Sequence, residues 1–214
     1  MDAVRYKESE GEKAQEIRTN ENHDMVAVPW LVKRAADGNF EAFGELYSIY
    51  LGYIYRYVFY QVKDNMMAED LTEEIFVKAW EAIGRYKQRS LTFSAWLYRI
   101  AHNHVIDYFR TRRQYLPLKE ETPDTSNNPE QELGAKLIQQ ELAEALSYLP
   151  PQQRQVIILK FIEERENHEI AQIMRKREGA IRVMQMRALT ALRQILSSEE
   201  NNCKLNYLKP LVNV

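Results

Sequence analysis

Apolar residues recur every three or four positions from residue 28 to residue 58, with polar residues between them. This spacing lines one face of an α-helix. The sequence ADGNFEAF interrupts the pattern, so two helices are predicted rather than one. A further periodic run from Ala68 to Ile83 predicts a third helix, whose apolar stripe consists of Leu71, Ile75, Ala79 and Ile83.

The next helical stretch, FSAWLYRIAHNHVIDYFRTRR, begins apolar and ends in a cluster of arginines. It predicts a fourth helix, on which Phe93, Trp96 and Tyr98 stand near Asn103 and several cations. Aromatic rings stack on unpaired bases, and arginines hold the nucleic-acid backbone. The pattern therefore indicates a surface for single-stranded DNA. The alternative is that the aromatic residues are core and the arginines form a solvated helix end.

A second group of helices follows a polar stretch with several prolines, LPLKEETPDTSNNPEQELG, which predicts a linker. The sequence NHEIAQIMRKREGAIRVMQMRALTALRQIL then predicts a short helix capped by Asn167, a turn at residues 175–177 and a longer helix. This is helix-turn-helix geometry. Arg182, Gln185 and Arg187 lie off the apolar stripe, and such side chains suit base edges and phosphates of a major groove. The alternative is a solvated basic face on an ordinary helix pair.

Composition limits the classes of protein that remain. The net charge of -2 argues against indiscriminate coating of DNA but allows a local basic patch. Hydrophobic residues make up 45% of the chain, which is ample for burial. Only 7 residues are glycine and valine-rich alternating runs are few, which leaves little material for sheets and favours an all-α fold. The lone cysteine, Cys203, excludes an internal disulfide framework. We expect no signal peptide, no membrane contact by this chain and a cytoplasmic location.

An enzyme is the least favoured class. His102 and His104 invite a metal or hydrolase site, but residues two apart on a helix point to different faces, and nothing completes a ligand set. We therefore expect no catalytic, cofactor-binding or metal-binding residue and no cofactor. A helix for single strands and a helix-turn-helix for duplex describe, together, a protein that binds one DNA segment melted and another double-stranded.

Several segments occur in a recognisable order: GNFEAFGELY, AEDLTEEIFVKAW, FSAWLYRIAHNHVID, ALSYLPPQQRQVIILKF, HEIAQIM and GAIRVMQMRAL. In that order and spacing they resemble the sigma-70 family of bacterial RNA polymerase sigma factors, in its small extracytoplasmic-function (ECF) group. The resemblance implies two small helical domains, a sigma-2 bundle over residues 25–113 and a sigma-4 helix-turn-helix domain over residues 135–197. The other implied segments are an N-terminal extension (1–24), a flexible linker (114–134) and a C-terminal tail (198–214).

The resemblance also implies which residues meet each partner. The residues that would contact the clamp helices of the core polymerase beta-prime subunit are Asp70, Glu73, Glu74 and Phe76. The residues around the minus-ten promoter element would be Lys78, Ala82, Tyr86, Tyr98, Ile100, Asn103, Arg110, Arg112 and Arg113. With the loop at residues 84–92, Asn103 would grip a base turned out of the stack. The residues at the minus-thirty-five element would be Arg182, Val183, Gln185, Met186 and Arg187.

By resemblance, the chain binds core RNA polymerase through its beta-prime and beta subunits, directs it to promoters and helps to open the DNA. An anti-sigma factor is a further implied partner, and acidic linker residues, Glu120, Glu121 and Asp124, would mimic nucleic acid. The chain departs from the family's commoner pattern at residues 183 and 184, where serine and arginine are frequent, and at Arg177, where a capping residue is usual. These departures leave open which promoter sequence is read, but they do not change the expected role. The alternative function is a stand-alone helix-turn-helix transcriptional regulator, which binds duplex DNA by itself.

Overall fold

The computed structural model describes residues 28–86, 91–115 and 130–197, with side chains described except at residues 112–115, 130–138, 196 and 197. In these ranges the regular elements are all helical. They are α1 (28–36), α2 (Phe40–Val62), α3 (Asn65–Ile83), α4 (Phe93–Tyr115), α5 (Glu130–Ser147), α6 (Pro151–Ile157), a π-helical turn (Ile158–Ile162), α7 (Asn167–Met174) and α8 (Glu178–Ser197). The predicted all-α fold with two helical domains is confirmed.

The first unit, α1 to α4, is a bundle in which α2, α3 and α4 pack on one another. Gly38, with a φ of 90°, separates α1 from α2, and Asn39 Oδ1 then accepts a hydrogen bond from the Ala42 N–H at 2.7 Å. Asp64 caps α3 in the same way, accepting from the Met67 N–H at 2.8 Å. The predicted stripe of α3 is buried throughout, at Leu71, Ile75, Ala79 and Ile83.

The second unit, α5 to α8, is built around α8, which packs on α5, α6 and α7. Pro151 opens α6, where its missing N–H leaves no bond unmade. The helix then changes to a π-helical turn, in which the Glu163 N–H donates to the Ile158 carbonyl, five residues earlier, at 3.0 Å. Arg175, with a φ of 53°, ends α7 in the left-handed conformation before the turn to α8.

Two local predictions differ from the structure. The residue that caps α7 is Glu166 rather than Asn167, which is already helical, and the Glu166 N–H donates to Glu169 Oε2 at 3.1 Å. Helix α5 begins at Glu130, inside the stretch predicted as linker, because its polar start runs directly into the periodic apolar positions that follow.

Other predictions about chain organisation concern residues outside the described part. They are the extension at 1–24, the acidic side chains Glu120, Glu121 and Asp124, and the tail at 198–214 with Cys203. None of the helices that the structure describes is long and apolar enough to cross a membrane.

The two units are in contact. Helix α7 lies against α4, while α5 and the π-helical turn lie against α2. This contact brings the second unit onto α4, the helix that was predicted to hold single-stranded DNA.

Candidate nucleic-acid and protein interfaces

The outward face of α3 carries the predicted protein-binding carboxylates. Asp70, Glu73 and Glu74 are exposed and give this face a negative charge. Phe76 is not on that face, because it is only 4% exposed and its ring meets the ring of Tyr47 edge-on at 4.7 Å. Phe76 therefore supports α3 from the core side.

Two exposed apolar residues that the sequence analysis did not select share the face of α3 with these carboxylates. Met66 is 71% exposed and Val77 is 58% exposed. With Asp70 and Glu73 they follow the spacing of one helix face. Carboxylates repel phosphates, so this surface suits a protein partner with basic and apolar groups rather than DNA. The available signal was the position of two apolar residues off the buried stripe.

A contact of three polar side chains joins α3 to α4. Lys78 Nζ lies 2.7 Å from His104 Nδ1, and His104 Nε2 lies 2.8 Å from Glu74 Oε2, off the direction of a linear hydrogen bond. The lysine ammonium carries only donors, so a hydrogen bond between the two uses Nδ1 as the acceptor. His104 is 8% exposed. One buried ring thus contacts both Lys78, a predicted minus-ten residue, and Glu74, a predicted polymerase-facing residue, a role that the sequence analysis missed.

The aromatic residues before and at the start of α4 pack against one another. The Phe93 and Trp96 ring centroids are 5.4 Å apart, and that of Tyr86 lies 5.9 Å from Phe93 and 5.1 Å from Trp96. Tyr86 Oη donates to the Leu91 carbonyl at 2.6 Å. Phe93 is 5% exposed and belongs to the core, whereas Tyr86 and Trp96 are half-buried. These two rings are therefore the members of the cluster that can present a face to a base.

The other predicted minus-ten residues differ in exposure. Asn103 and Arg110 are exposed on one face of α4, and Arg110 also forms an ion pair with Asp107 at 3.0 Å. The half-buried members of the set are Ala82 and Ile100. The members that lie outside the described part are the side chains of Arg112 and Arg113 and residues 87–90 of the loop. An exposed amide and an exposed guanidinium on one face can bind a base and a phosphate.

Tyr98, also predicted at the minus-ten element, is buried beneath the second unit. Its hydroxyl donates to Glu163 Oε2 at 2.6 Å. Arg56 Nε and Nη2 donate to the two oxygens of Glu163 at 2.8 and 3.1 Å, and the Glu163 side chain is fully buried. Burial and the nearby Glu163 charge raise the pKa of Tyr98 well above its ordinary value, so the hydroxyl remains a donor. Tyr98 can contact DNA only after the two units separate.

Gln155 forms a second polar connection between the units. Its Nε2 donates to Tyr57 Oη at 3.0 Å and to His102 Nδ1 at 2.5 Å. Burial, followed by repulsion from Lys176, lowers the pKa of His102 to about 4, so the ring is neutral near pH 7 and accepts this hydrogen bond. His102 and His104 thus serve different contacts, and no group of three or more potential metal ligands occurs within the described ranges.

Two arginines reach backbone carbonyls across the same contact. Arg154 Nη1 donates to the Gln61 carbonyl at 3.1 Å, and Arg99 donates to the Gln172 carbonyl on α7. Burial lowers the pKa of both guanidinium groups, with a further contribution from Arg175 for Arg99. Both groups stay charged at neutral pH. Hydrogen bonds with defined partners fix one orientation of the second unit on α2 and α4.

The polar residues predicted to read duplex DNA on α8 are partly occupied. Arg182 Nη2 lies 2.5 Å from Glu178 Oε1, one turn earlier. Gln185 Nε2 donates to Asn167 Oδ1 at 2.7 Å, and the glutamine is half-buried. Arg187 is exposed and forms no ion pair with the described residues. Gln185 therefore joins α8 to α7, and Arg187 remains available to DNA.

The apolar residues predicted for the same role lie on the surface. Val183 is 42% exposed and Met186 is 62% exposed. The stripe that anchors α8 lies elsewhere on the helix, with Ile181, Ala188 and Leu192 buried. The face of α8 that is open to solvent thus combines apolar and cationic side chains.

Two family comparisons match separate parts of the chain. Residues 46–115 match Sigma-70 region 2, and residues 139–192 match Sigma-70, region 4. The first match covers α3, α4 and most of α2, and the second extends from α5 into α8. The two matches cover the two sets of candidate surfaces in the order that the sequence motifs predict.

Individual proteins show the same similarity. The chain is 35% identical over 180 residues to the ECF RNA polymerase sigma factor BldN of Streptomyces coelicolor, covering 82% of this chain and 68% of BldN. It is 32% identical over 162 residues to the ECF RNA polymerase sigma factor SigX of Bacillus subtilis, covering 72% of this chain and 83% of SigX. The solved structure of CnrH in complex with the cytosolic domain of CnrY matches with a TM-score of 0.66 and 25% identity, over 81% of this chain and 99% of the matched chain.

Proposed function

Because this chain belongs to the ECF group of the sigma-70 family of RNA polymerase sigma factors, we propose that it binds core RNA polymerase, directs it to specific promoters and promotes opening of the DNA. The observation that carries the proposal is the presence of both matched regions in one chain, each with its own exposed candidate surface. A stand-alone helix-turn-helix regulator would account for α7 and α8 but would leave the region 2 match without a role.

The polymerase-binding surface in this proposal is the outward face of α3. Asp70 and Glu73 supply charge, and Met66 and Val77 supply apolar area that a protein partner can cover. Glu74, whose Oε2 lies 2.8 Å from His104 Nε2, lies beside them. We assign this face to the clamp helices of the beta-prime subunit, as the resemblance implies. Phe76 acts from beneath, by supporting the helix.

The minus-ten surface in this proposal is the exposed side of α4 and the loop before it. Asn103 is exposed, and the half-buried rings of Tyr86 and Trp96 lie at the start of the same helix. An amide can bond to the edge of an unstacked base while a ring covers its face. Lys78 and Arg110 add the positive charge that holds the backbone.

Promoter binding also requires the two units to separate. The minus-ten and minus-thirty-five elements are about 25 base pairs apart, which is about 85 Å of B-form DNA. In the free chain α4 touches α7, which packs on α8, so the proposed DNA-binding faces of α4 and α8 cannot reach both elements at once. Separation also releases Tyr98 from Glu163. We propose that the contact with core polymerase holds the units apart.

This role needs no chemistry by the chain itself, so we propose no catalytic residue and no cofactor. A cytoplasmic location follows from the role, because the polymerase and the promoter are there. An inhibitory protein of the anti-sigma kind is a further proposed partner. CnrH is similar to this chain over 99% of the matched CnrH chain and 81% of this one, and it is seen bound to another protein, the cytosolic domain of CnrY. Capture of the chain from unstimulated cells, with no such protein recovered, would count against this partner.

The experiment that tests the polymerase role is a binding assay with sigma-free core RNA polymerase. Charge reversal at Asp70 and Glu73 to lysine should weaken binding at least tenfold, because it places like charges against the basic partner surface expected there. The control is Glu144→Lys on α5, an exposed carboxylate in the second unit. Equal affinities for the wild type, the α3 variant and the control would remove α3 from the interface, and absence of any binding would contradict the proposed function.

A further inference from the structure

The open face of α8 has an apolar centre that folding does not explain. Val183 and Met186 are three residues apart and lie on neighbouring turns of one face. The buried stripe of the helix uses other residues, namely Ile181, Ala188 and Leu192. Single exposed apolar residues are common on protein surfaces. Val183 and Met186, however, are neighbours on the helix assigned to base reading, where a DNA base could cover both.

The polar residues that could read bases on the same helix are largely engaged inside the unit. Arg182 is paired with Glu178 at 2.5 Å, and Gln185 donates to Asn167 at 2.7 Å. A base edge would have to displace these partners before it could bond to either side chain. Val183 and Met186 have no such bonds to lose, and covering them with an apolar group removes them from water.

Cations lie on both sides of this apolar centre along the chain. Arg182 and Arg187 flank it on α8, and the preceding turn contributes Arg175, Lys176 and Arg177. Cations around an apolar centre complement a major groove, in which phosphates border the base edges. An apolar segment of a protein would cover the centre but would offer no anionic group to Arg187 and to the cations of the turn. The charge pattern therefore favours duplex DNA.

We propose that Val183 and Met186 read the C5-methyl groups of thymines in the minus-thirty-five element. The thymine methyl is the apolar group that a base pair displays on the floor of the major groove. This inference rests on the proposed function of α8 as the duplex-reading helix, and it adds the chemistry of the sequence that is read. Recognition at these positions then depends on a methyl group rather than on a hydrogen bond.

Replacement of thymine by deoxyuridine tests the inference, because it removes the methyl group and preserves every hydrogen-bonding group of the base pair. A promoter is first selected from a random library with holoenzyme formed by the full chain and core polymerase. Each thymine of its minus-thirty-five element is then replaced in turn. We expect an affinity loss of about fourfold at one or two positions, which corresponds to ~0.8 kcal/mol for one buried carbon group.

Protein variants assign each loss to a side chain. Holoenzyme with Met186→Ala or Val183→Ala should lose the discrimination at one of the sensitive positions. At that position it should bind the thymine promoter and the deoxyuridine promoter with equal affinity. In Arg187→Ala holoenzyme, overall binding should fall while the fourfold discrimination persists. Met186→Leu, which keeps the apolar volume, should retain most of the discrimination. Circular dichroism of each variant shows whether it is folded.

Three results would overturn the inference. The first is equal binding of thymine and deoxyuridine promoters at every position. The second is discrimination that persists unchanged in the Val183→Ala and Met186→Ala double variant. The third is a double variant with normal promoter binding but weakened binding of an inhibitory protein, which would assign the face to that partner. In all three cases the wild-type holoenzyme still binds its promoter specifically. Failure of the proposed function would instead abolish that wild-type binding.

Discussion

The two helices proposed to bind promoter DNA differ greatly in what covers them. On α4, Tyr98 is fully buried and its hydroxyl is bonded to Glu163 of the other unit. On α8, Met186 is 62% exposed, and the bonds of Arg182 are made within its own helix. The proposed duplex-reading surface is therefore open to solvent in the free chain, whereas part of the proposed strand-holding surface stays covered until the two units separate.

The hydrogen bonds between α4 and the second unit join polar and charged groups, and buried apolar residues of both units belong to one cluster. The carboxylate of Glu163 loses its water on burial and recovers that loss through Arg56 and Tyr98. When the units part, all three groups are hydrated again, so the net free energy of the contact is much smaller than the sum of its bonds. The binding free energy of a large partner can therefore offset the cost of breaking this contact.

The largest expected effect is at Glu163. Loss of its carboxylate should expose α4, so that α4 becomes as open to solvent as α8. Glu163→Ala deletes the acceptor of Arg56 and Tyr98 and should weaken the contact by about 2 to 3 kcal/mol, toward the low end for buried pairs because Arg56 is partly solvated. Small-angle X-ray scattering of the free chain should show an increased radius of gyration. Glu144→Ala, at an exposed site, is the matched control, and a compact Glu163→Ala chain would show that the carboxylate does not hold the units together.

A second effect concerns α8 alone. Arg187→Ala should weaken holoenzyme binding to promoter duplex by about 1 to 3 kcal/mol if the arginine contacts a base. Arg182→Ala should have a smaller effect, because Arg182 is already paired with Glu178. Affinities measured at several salt concentrations separate base contacts from phosphate contacts. Equal losses for the two variants would contradict the difference in availability seen on this helix.

A third effect concerns α4 after separation of the units. Asn103→Ala should reduce promoter opening about tenfold, equivalent to 1.4 kcal/mol, with little change in binding to core polymerase. The asparagine is exposed, so its loss removes an amide for a flipped base without disturbing the core. Permanganate reactivity of unpaired thymines measures opening, with Gln152→Ala on α6 as the control. Equal loss of opening and polymerase binding would indicate a folding defect or a wrong assignment.

A smaller effect is expected from pH, through His102. Its pKa is lowered from 6.5 to about 4 in the folded chain, so the unfolded or separated state takes up a proton first as the pH falls. The contribution of His102 is complete above pH 6.5 and is lost between pH 6.5 and pH 4, amounting to about 1 kcal/mol between pH 7 and pH 5.5. Labels on α2 and α8 should therefore move apart on acidification. His102→Gln, which does not titrate, should show a flatter response, and an identical response would exclude this histidine as the cause.

The smallest expected effect lies in the turn that carries the contact. Glu164 follows Glu163 and has a φ of 52°, a conformation that costs a residue with a Cβ about 1 kcal/mol. Glu164→Gly should leave the closed arrangement intact and raise the thermal midpoint slightly. The gain in the free energy of unfolding should be less than about 1 kcal/mol, because glycine also gives the unfolded chain more freedom. Glu164→Ala retains the strain and is the control. A lower midpoint for glycine than for alanine would contradict this reading of the turn.

The sequence predicted the helices well because their packing is periodic. All four residues of the α3 stripe are buried, and the helix, turn and helix at residues 167–197 lie where the pattern placed them. Neighbours along one helix face determine this periodicity, so it can be read locally. The cap of α7 was placed one residue late because Glu166 and Asn167 are both polar and only the backbone conformation distinguishes them.

The contacts between units could not be read in the same way. Tyr98 and Glu163 are far apart in sequence, and no period connects Gln155 on α6 to His102 on α4. Tyr98 was assigned to DNA by resemblance to the family, although its hydroxyl is bonded within the chain. The carboxylate face of α3 was assigned by resemblance to the family, while Met66 and Val77 were found only from their exposure in the folded chain. Pairings over such distances depend on tertiary packing, which a helical pattern does not specify.

The most direct test of the sigma role is an open-complex assay on a library of promoter-like DNA with the purified chain, sigma-free core polymerase, or both. Only the mixture should produce permanganate-reactive, promoter-specific complexes, because polymerase binding is proposed to free α4 so that it can hold a strand. If the folded chain alone protected duplex DNA and did not change the behaviour of competent core polymerase, it would be a regulator that acts without the polymerase-binding surface.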